Sequence, residues 1–92
     1  MAKILRFSIR FAKNYKKLPK HIQELVERKL EFLKNNPRHQ SLNVHRFVIS
    51  GNTNIYEAYI TKNYRFTFEI HKDKIILKNV GTHEIIDKGL VN

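Results

Sequence analysis

The sequence predicts an α+β domain, with an N-terminal strand and a two-helix hairpin packed on one face of a mainly antiparallel sheet of about four to five strands. One observation is apolar spacing of three and four residues through residues 9–34, typical of amphipathic helices. Another is apolar–polar alternation in the second half, where short turns containing Asn, Gly and Asp separate the segments. Because helices are expected on one sheet face only, the other face should be partly open. A length of 92 residues fits a single domain over residues 1–92.

The first strand and the first helix meet at Ser8. Residues Ile4 to Ile9 alternate as a short strand, and Ser8 is a candidate N-cap for a helix over about Ile9 to Lys17. The apolar residues of this helix keep i, i+4, i+7 spacing at Phe11, Tyr15 and Leu18. Pro19 lacks an amide proton and disfavours helical geometry at the preceding residue, so it ends this helix and can begin the next one.

The second helix follows Pro19 and ends at Asn35-Asn36-Pro37. Its apolar stripe consists of Ile22, Leu25, Val26, Leu30 and Leu33. Two helices alone would leave half of each stripe in water, so the hairpin must pack against another layer.

Four predicted strands supply that layer: Val44 to Ser50, Ile55 to Thr61, Tyr64 to Ile70 and Lys74 to Val80. A loop spans residues 51–54, and Lys62-Asn63 is predicted to form a two-residue turn. The tail from Ile85 to Asn92 has too little pattern to assign.

Positive charge is the dominant bulk property, with 18 Lys+Arg against 8 Asp+Glu and a formal net charge of +10. Through Arg46 there are 12 basic and 3 acidic residues, which gives +9, and the remainder has 6 and 5, which gives +1. Five basic residues and no acidic one lie between Arg10 and Lys20. Charge of one sign on so small a domain predicts a polyanionic partner, either nucleic acid or an acidic protein segment.

Several classes of protein and site are excluded. No window reaches the roughly 18 consecutive apolar residues of a membrane span, and the charged N-terminus is unlike a signal peptide. The lack of cysteine excludes disulfides and thiolate zinc sites, and it fits a cytoplasmic protein. His21, His39 and His71 show no paired spacing, so the sequence predicts no metal site and no cofactor.

A candidate reactive pair lies in the hairpin that runs from Tyr64 to His83. Arg65 is near the start of one strand and His83 follows the end of its partner, so they can lie side by side at one sheet end. A cation beside a titratable imidazole is a plausible pair for phosphodiester chemistry, which without a metal needs a base, an acid and positive charge near the phosphate. Histidine can serve as acid or base near neutral pH, and His45 is a candidate for the second such group.

Each of these residues has a purely structural alternative. Arg65 can be a strand-face arginine paired with Glu57 or Glu69, and His83 can be an exposed residue of a turn after the strand. His45 can be a solvated residue of a loop.

The order of these segments resembles the RelE/ParE superfamily of bacterial and archaeal toxins, over most of the chain. The features that carry the resemblance are the opening strand, the hairpin broken at Leu18-Pro19, the Asn35-Asn36-Pro37 exit, the strand Tyr64-Arg65-Phe66-Thr67-Phe68 and the ending Val80-Gly81-Thr82-His83. In this superfamily, RelE-like members cut messenger RNA, usually in the ribosome, and ParE-like members poison DNA gyrase.

The resemblance implies roles for individual residues. Arg65 is similar to the strand arginine of the ribonuclease members, and His83 to the histidine in the Gly-Thr-His ending of YafQ-like members. The lysine pair typical of RelE falls here near Glu57 and Tyr59, neither of which is cationic. The aromatic residue expected four positions beyond His83 is Asp87.

The function expected from this resemblance is that of a type II toxin, a metal-independent endoribonuclease that cleaves messenger RNA by acid/base catalysis, free or on the ribosome. The alternatives are a ParE-like toxin that binds DNA gyrase, an inactive member that only binds its antitoxin, and a plain nucleic-acid-binding module. The expected partners are messenger RNA and an acidic antitoxin, and the free protein is expected to be a monomer.

Three sets of residues are predicted to carry these functions. The catalytic set is His83, Arg65 and His45. The RNA- or phosphate-binding set is Arg46, Lys62 and Tyr64. The antitoxin-binding set is Lys13, Lys16, Lys17 and Lys20. In addition, the strand tyrosines Tyr56, Tyr59 and Tyr64 can stack on bases or fill the core.

Overall fold

A mixed sheet carries helices on both faces in a computed structural model, which describes residues 3–46 and 55–88. The strands are β1 (Ile4–Phe7), β2 (His45–Arg46), β3 (Ile55–Tyr59), β4 (Tyr64–Ile70) and β5 (Lys74–Thr82). The helices are α1 (Ile9–Lys16), α2 (Lys20–Asn35) and α3 (His83–Lys88), with a short 3₁₀ turn at Gln40–Leu42. The strand order is β1-β5-β4-β3-β2, in which β1 is parallel to β5 and the other neighbours are antiparallel. The predicted α+β fold with a mainly antiparallel sheet is confirmed.

Ser8 sets the boundary between β1 and α1. Its hydroxyl accepts the amide proton of Phe11 at 3.0 Å and donates to the Lys78 carbonyl at 2.7 Å. The predicted N-cap is therefore confirmed. The strand predicted over Ile4 to Ile9 ends at Phe7 instead, because the serine caps the helix that follows.

The helical hairpin closes across Pro19, which precedes α2 as its missing amide proton predicts. The Tyr15 hydroxyl on α1 donates to the Glu27 carboxylate on α2 at 2.7 Å. Burial of the phenol, together with this hydrogen bond to a carboxylate, raises the pKa of Tyr15 to about 12. The Gln23 amide also donates to the Tyr15 carbonyl, at 2.9 Å. These contacts hold the two helices together beside the proline.

The main core lies between this hairpin and one face of the sheet. Phe66 and Phe68 of β4 are fully buried there, and each ring stabilises the fold by about 1.5–3 kcal/mol through burial alone. The remaining core residues are Phe11, Ile22, Val26, Leu33, Leu42, Ala58, Ile60, Ile75, Leu77 and Val80. The helical stripes predicted from the sequence thus meet the predicted apolar face of the strands.

The second sheet face, which the sequence predicted to be partly open, carries a helix that the sequence did not predict, because α3 packs across one end of it. Gly81 follows the core residue Val80 in β5, so a side chain there would point away from the core. A Cβ atom on Gly81 would lie 3.1 Å from the side chain of Ile85 in α3. Ile86 is 2% exposed although it does not belong to the main core.

The helix α3 begins at His83, which is therefore a helical residue rather than a turn residue, and its residues 85–88 belong to the tail that the sequence left unassigned. The Thr82 hydroxyl accepts the Ile85 amide proton at 3.4 Å, and Glu84 places negative charge in the first turn. Six residues give too short an apolar pattern for a helix to be predicted.

Some predicted elements fall partly or wholly outside the described residues. Of the strand predicted over Val44 to Ser50, residues 44–46 are described, and β2 there is His45–Arg46; residues 47–50, the loop at residues 51–54 and the tail beyond residue 88 are outside. Within residues 3–46 and 55–88, no helix is long and apolar enough to cross a membrane.

Candidate active site

The candidate active site is on the sheet face that α3 partly covers. Arg65 alternates along β4 with the core residue Phe66, so its side chain is on the face away from the hairpin. Tyr59 is the register partner of Arg65, and Glu57 lies two residues before it on the same face of β3. His45 of β2 is the register partner of Glu57. These four residues, His45, Glu57, Tyr59 and Arg65, are called the Glu57 cluster below.

The centre of this cluster is a buried carboxylate. The Glu57 side chain is 3% exposed, whereas that of Arg65 is 17% exposed and that of His45 is 49% exposed. Glu57 Oε1 lies 2.9 Å from His45 Nε2 and 3.4 Å from Arg65 Nη1. A carboxylate is costly to bury unless cationic or hydrogen-bonding groups face it, and here both partners come from neighbouring strands.

Arg65 is held in place from two directions. Glu57 contacts one end of its guanidinium group, and the carbon at the centre of that group lies 4.3 Å from the centroid of the Tyr59 ring. Cation–π contact and ion pairing together restrict the group to one orientation. The Nε atom is buried and has no hydrogen-bond partner among residues 3–46 and 55–88. Arg65 therefore has donor capacity that this arrangement does not satisfy.

Tyr59 also contacts His45, the remaining member of the Glu57 cluster. Its ring and that of His45 meet edge to face, with centroids 5.6 Å apart. The tyrosine thus supports both basic residues that Glu57 holds.

Glu69, the other partner considered for Arg65, pairs elsewhere. Its carboxylate lies 3.0 Å from His71 Nε2 and 3.2 Å from Lys78 Nζ. Burial acts to raise the pKa of Glu69, but the hydrogen bonds from these two residues outweigh it and lower the pKa below its usual range. Of the two acidic partners considered for Arg65, Glu57 is therefore the one that it contacts.

His83 lies at the same end of the sheet as Arg65, as the sequence predicted. The register partner of Arg65 is Gly81, two residues before His83. The His83 amide donates to the Asn63 carbonyl at 3.0 Å, which ties the start of α3 to the turn before β4. The side chain of His83 is exposed. The structure thus places His83, directly after β5, and Arg65, on the neighbouring strand β4, at one end of the sheet, while His45 is linked to the same arginine through Glu57.

The predicted RNA- or phosphate-binding residues lie around this rim in different environments. Lys62 is exposed in the connection between β3 and β4, which spans residues 60–63 rather than the predicted two. Tyr64 is half-buried against the core and lies on the opposite face of β4 from Arg65. Arg46 is exposed and is the register partner of Tyr56, whose ring stacks on Phe68 of the core side. Their roles in binding stay predictions.

The predicted antitoxin-binding lysines form a separate surface at the junction of the two long helices. Lys13 and Lys16 lie in the last turn of α1, Lys17 caps it and Lys20 begins α2. All four are exposed, and neither helix has an acidic residue in its first turn.

Glu57 and Tyr59 are the two cluster residues that the sequence analysis left out of its three predicted sets. It named Glu57 as a possible partner of Arg65 and Tyr59 as a tyrosine that could stack on bases or fill the core, and both as positions near which the resemblance leads one to expect lysine. The signal that could have found them is their alternation along β3. Once the hairpin register is known, that alternation places both residues on the same face as Arg65.

Comparison with known proteins gives matches among solved structures only: no protein-family model and no curated protein matches this sequence. The Escherichia coli DinJ–YafQ toxin–antitoxin complex contains a chain with a TM-score of 0.78 and 14% identity, over 94% of this chain and 98% of that one. The RelE–RelB complex of Pyrococcus horikoshii gives a TM-score of 0.75 and 16% identity, over 89% and 96%.

A third match is the RelB–RelE antitoxin–toxin complex of Methanococcus jannaschii, with a TM-score of 0.67 and 26% identity over 91% of this chain and 96% of that one. These similarities extend over nearly the full length of each chain. The protein has the fold of the RelE/ParE-like toxin superfamily, and the resemblance drawn from the sequence is confirmed. YafQ and RelE are among the toxins whose structures it is similar to, and the matches include complexes of each with an antitoxin.

Proposed function

We propose that this protein is the toxin of a type II toxin–antitoxin pair and a metal-independent endoribonuclease that cleaves messenger RNA. The observation that carries the proposal is the arrangement of Arg65, His45 and Glu57 on one sheet face, with His83 two residues beyond the register partner of Arg65. The fold shared with YafQ and RelE supports the same conclusion.

In the proposed reaction, a histidine removes the proton of a ribose 2′-hydroxyl, which attacks the adjacent phosphorus. The phosphorus–5′-oxygen bond breaks, and a second group donates a proton to the leaving 5′-oxygen. The products are a 2′,3′-cyclic phosphate and a 5′-hydroxyl. His83 and His45 are the proposed proton-transfer groups, and Arg65 stabilises negative charge on the phosphorane with its guanidinium group.

The decisive experiment incubates the purified protein with messenger RNA, with and without ribosomes, in buffer containing a metal chelator. We expect cleavage in the chelator, with 2′,3′-cyclic phosphate and 5′-hydroxyl ends, because the protein itself supplies acid, base and cation. End-group analysis by 5′-labelling with and without phosphatase measures this result.

Two other outcomes would contradict the proposal. Products with 5′-phosphate ends, or activity lost in the chelator, would overturn the mechanism. Intact RNA together with double-strand breaks in a DNA gyrase assay would instead identify a gyrase poison.

For the partner, we propose an acidic antitoxin whose tail covers the basic helical hairpin. The exposed lysines at 13, 16, 17 and 20 carry positive charge without acidic neighbours in the first turns of α1 and α2. An acidic segment that is disordered when free can fold on such a surface and neutralise it.

This surface can be tested with the protein encoded by the neighbouring reading frame, which is expected to be small and to have an acidic tail. Reversing charge with Lys13→Glu and Lys17→Glu should weaken the complex and reduce its salt dependence, because exposed charge pairs are screened by salt. Lys72→Glu, an exposed lysine in the turn between β4 and β5, is the matched control. Equal affinity of all three variants, measured by calorimetry, would reject this surface.

A further inference from the structure

The Glu57 carboxylate is buried beneath the two basic residues that it contacts. Its side chain is 3% exposed, and one oxygen, Oε1, faces both His45 Nε2 at 2.9 Å and Arg65 Nη1 at 3.4 Å. Replacement of a buried ion pair by apolar residues is often neutral or stabilising, so stability alone does not explain a carboxylate here. Its position suggests a role that acts through its partners.

We propose that Glu57 is a positioning residue for the cleavage reaction, which fixes the tautomer of His45 and the orientation of Arg65. This inference rests on the proposed ribonuclease function. Glu57 acts from beneath the site and does not itself touch the RNA.

The histidine part of the argument follows from the direction of the hydrogen bond. A carboxylate oxygen only accepts, so His45 Nε2 must carry the proton that it donates to Glu57. In the neutral ring, Nδ1 is then the unprotonated nitrogen. The Asn43 carbonyl oxygen lies 3.4 Å from Nδ1, and because a carbonyl oxygen only accepts, it makes no hydrogen bond with an unprotonated Nδ1. His45 Nδ1 is therefore the atom that exchanges a proton with the RNA.

The arginine part follows from what surrounds the guanidinium. Glu57 contacts Nη1, and the Tyr59 ring lies 4.3 Å from the guanidinium carbon. A guanidinium group has five N–H donors in a fixed plane. The contact of Glu57 with Nη1 and the Tyr59 ring against the plane therefore fix the direction of the other N–H groups. Without Glu57, Arg65 would keep its charge and lose this direction.

The test compares three substitutions in the full chain. Glu57→Met removes the acceptor and keeps the volume, and Glu57→Gln keeps an oxygen that can accept from both partners. Glu69→Ala is the matched control, because Glu69 is a carboxylate on the same sheet face that pairs with His71 and Lys78 instead. The measurements are kcat and KM on messenger RNA, thermal unfolding, and the ¹⁵N chemical shifts of the His45 ring, which report which nitrogen is protonated.

We expect Glu57→Met to lower kcat by about 10-fold or more without raising KM, because proton transfer needs the correct tautomer and binding does not. The ¹⁵N shifts of the His45 ring should show both neutral tautomers in Glu57→Met, whereas in the parent they should show the proton on Nε2. Glu57→Gln should recover a large part of kcat and the parental ring signals. Glu69→Ala should match the parent in kcat.

Several results would overturn the inference. The first is a Glu57→Met protein with the kcat of the parent. The second is a Glu57→Met protein whose KM is raised while its kcat is unchanged. The third is a Glu57→Met protein whose His45 ring shifts equal those of the parent. If Glu57→Met melts far below the parent, Glu57→Ala serves as the second variant without an acceptor. If the parent cleaves no RNA, the proposed function fails, and the ring signals of the parent and Glu57→Met alone decide whether Glu57 sets the tautomer.

Discussion

Replacing His83 by alanine is expected to lower RNA cleavage by about 10²–10⁴-fold, the contribution of a positioned acid or base. The substitution should leave the fold intact for two structural reasons. The His83 side chain is exposed at the first residue of α3, and the hydrogen bond to Asn63 uses its backbone amide, which alanine retains. Growth inhibition on induction should be lost to a corresponding degree.

The matched control for this substitution is His21→Ala. His21 is also an exposed histidine close to the start of a helix, and it lies in α2, away from the rim of the sheet. The control should cleave RNA at the parental rate. A His83→Ala protein that cleaves and inhibits growth like the parent would show that His83 takes no part in the reaction.

Replacing Arg65 by alanine is expected to reduce cleavage by about 10²–10³-fold, the effect of removing one donor that stabilises charge in a transition state. This variant also leaves the buried Glu57 carboxylate with His45 as its one remaining partner within the cluster. It should therefore melt at a lower temperature than the parent, because an unpaired buried charge is destabilising.

A lysine at position 65 separates the two effects of the arginine. Arg65→Lys keeps a positive charge near Glu57, so it should melt close to the parent. It loses the planar fork and the stacking on Tyr59, so cleavage should remain well below that of the parent. Single-turnover rates and thermal unfolding measured together check this result. Cleavage at the parental rate by a folded Arg65→Lys or Arg65→Ala protein would remove Arg65 from the mechanism.

Much of the fold was predictable because local rules determine it. Ser8 caps α1, Pro19 separates the helices and the strand Tyr64–Ile70 was predicted with the bounds that the structure shows. Each of these depends on side-chain chemistry and apolar spacing within a few residues. The proximity of Arg65 and His83 was also predictable, because they flank one hairpin and share one end of it.

The short helix α3 was not predictable in the same way. Its six residues carry too little periodicity, and its place is set by packing, with Ile85 against the bare backbone of Gly81. Tertiary contact rather than propensity stabilises a helix of this length. For the same reason, the sequence did not predict a helix on this face of the sheet, which was expected to be partly open.

The sequence by itself determined the fold class, the basic helical hairpin and the rim on which Arg65 and His83 lie. Only the tertiary structure decided that Glu57, and not Glu69, holds Arg65, and that His45 shares the same carboxylate oxygen. The physical reason is strand register. Two acidic residues on one face are equivalent partners in the sequence, and pairing across β2, β3 and β4 determines which of them is buried beside the cations.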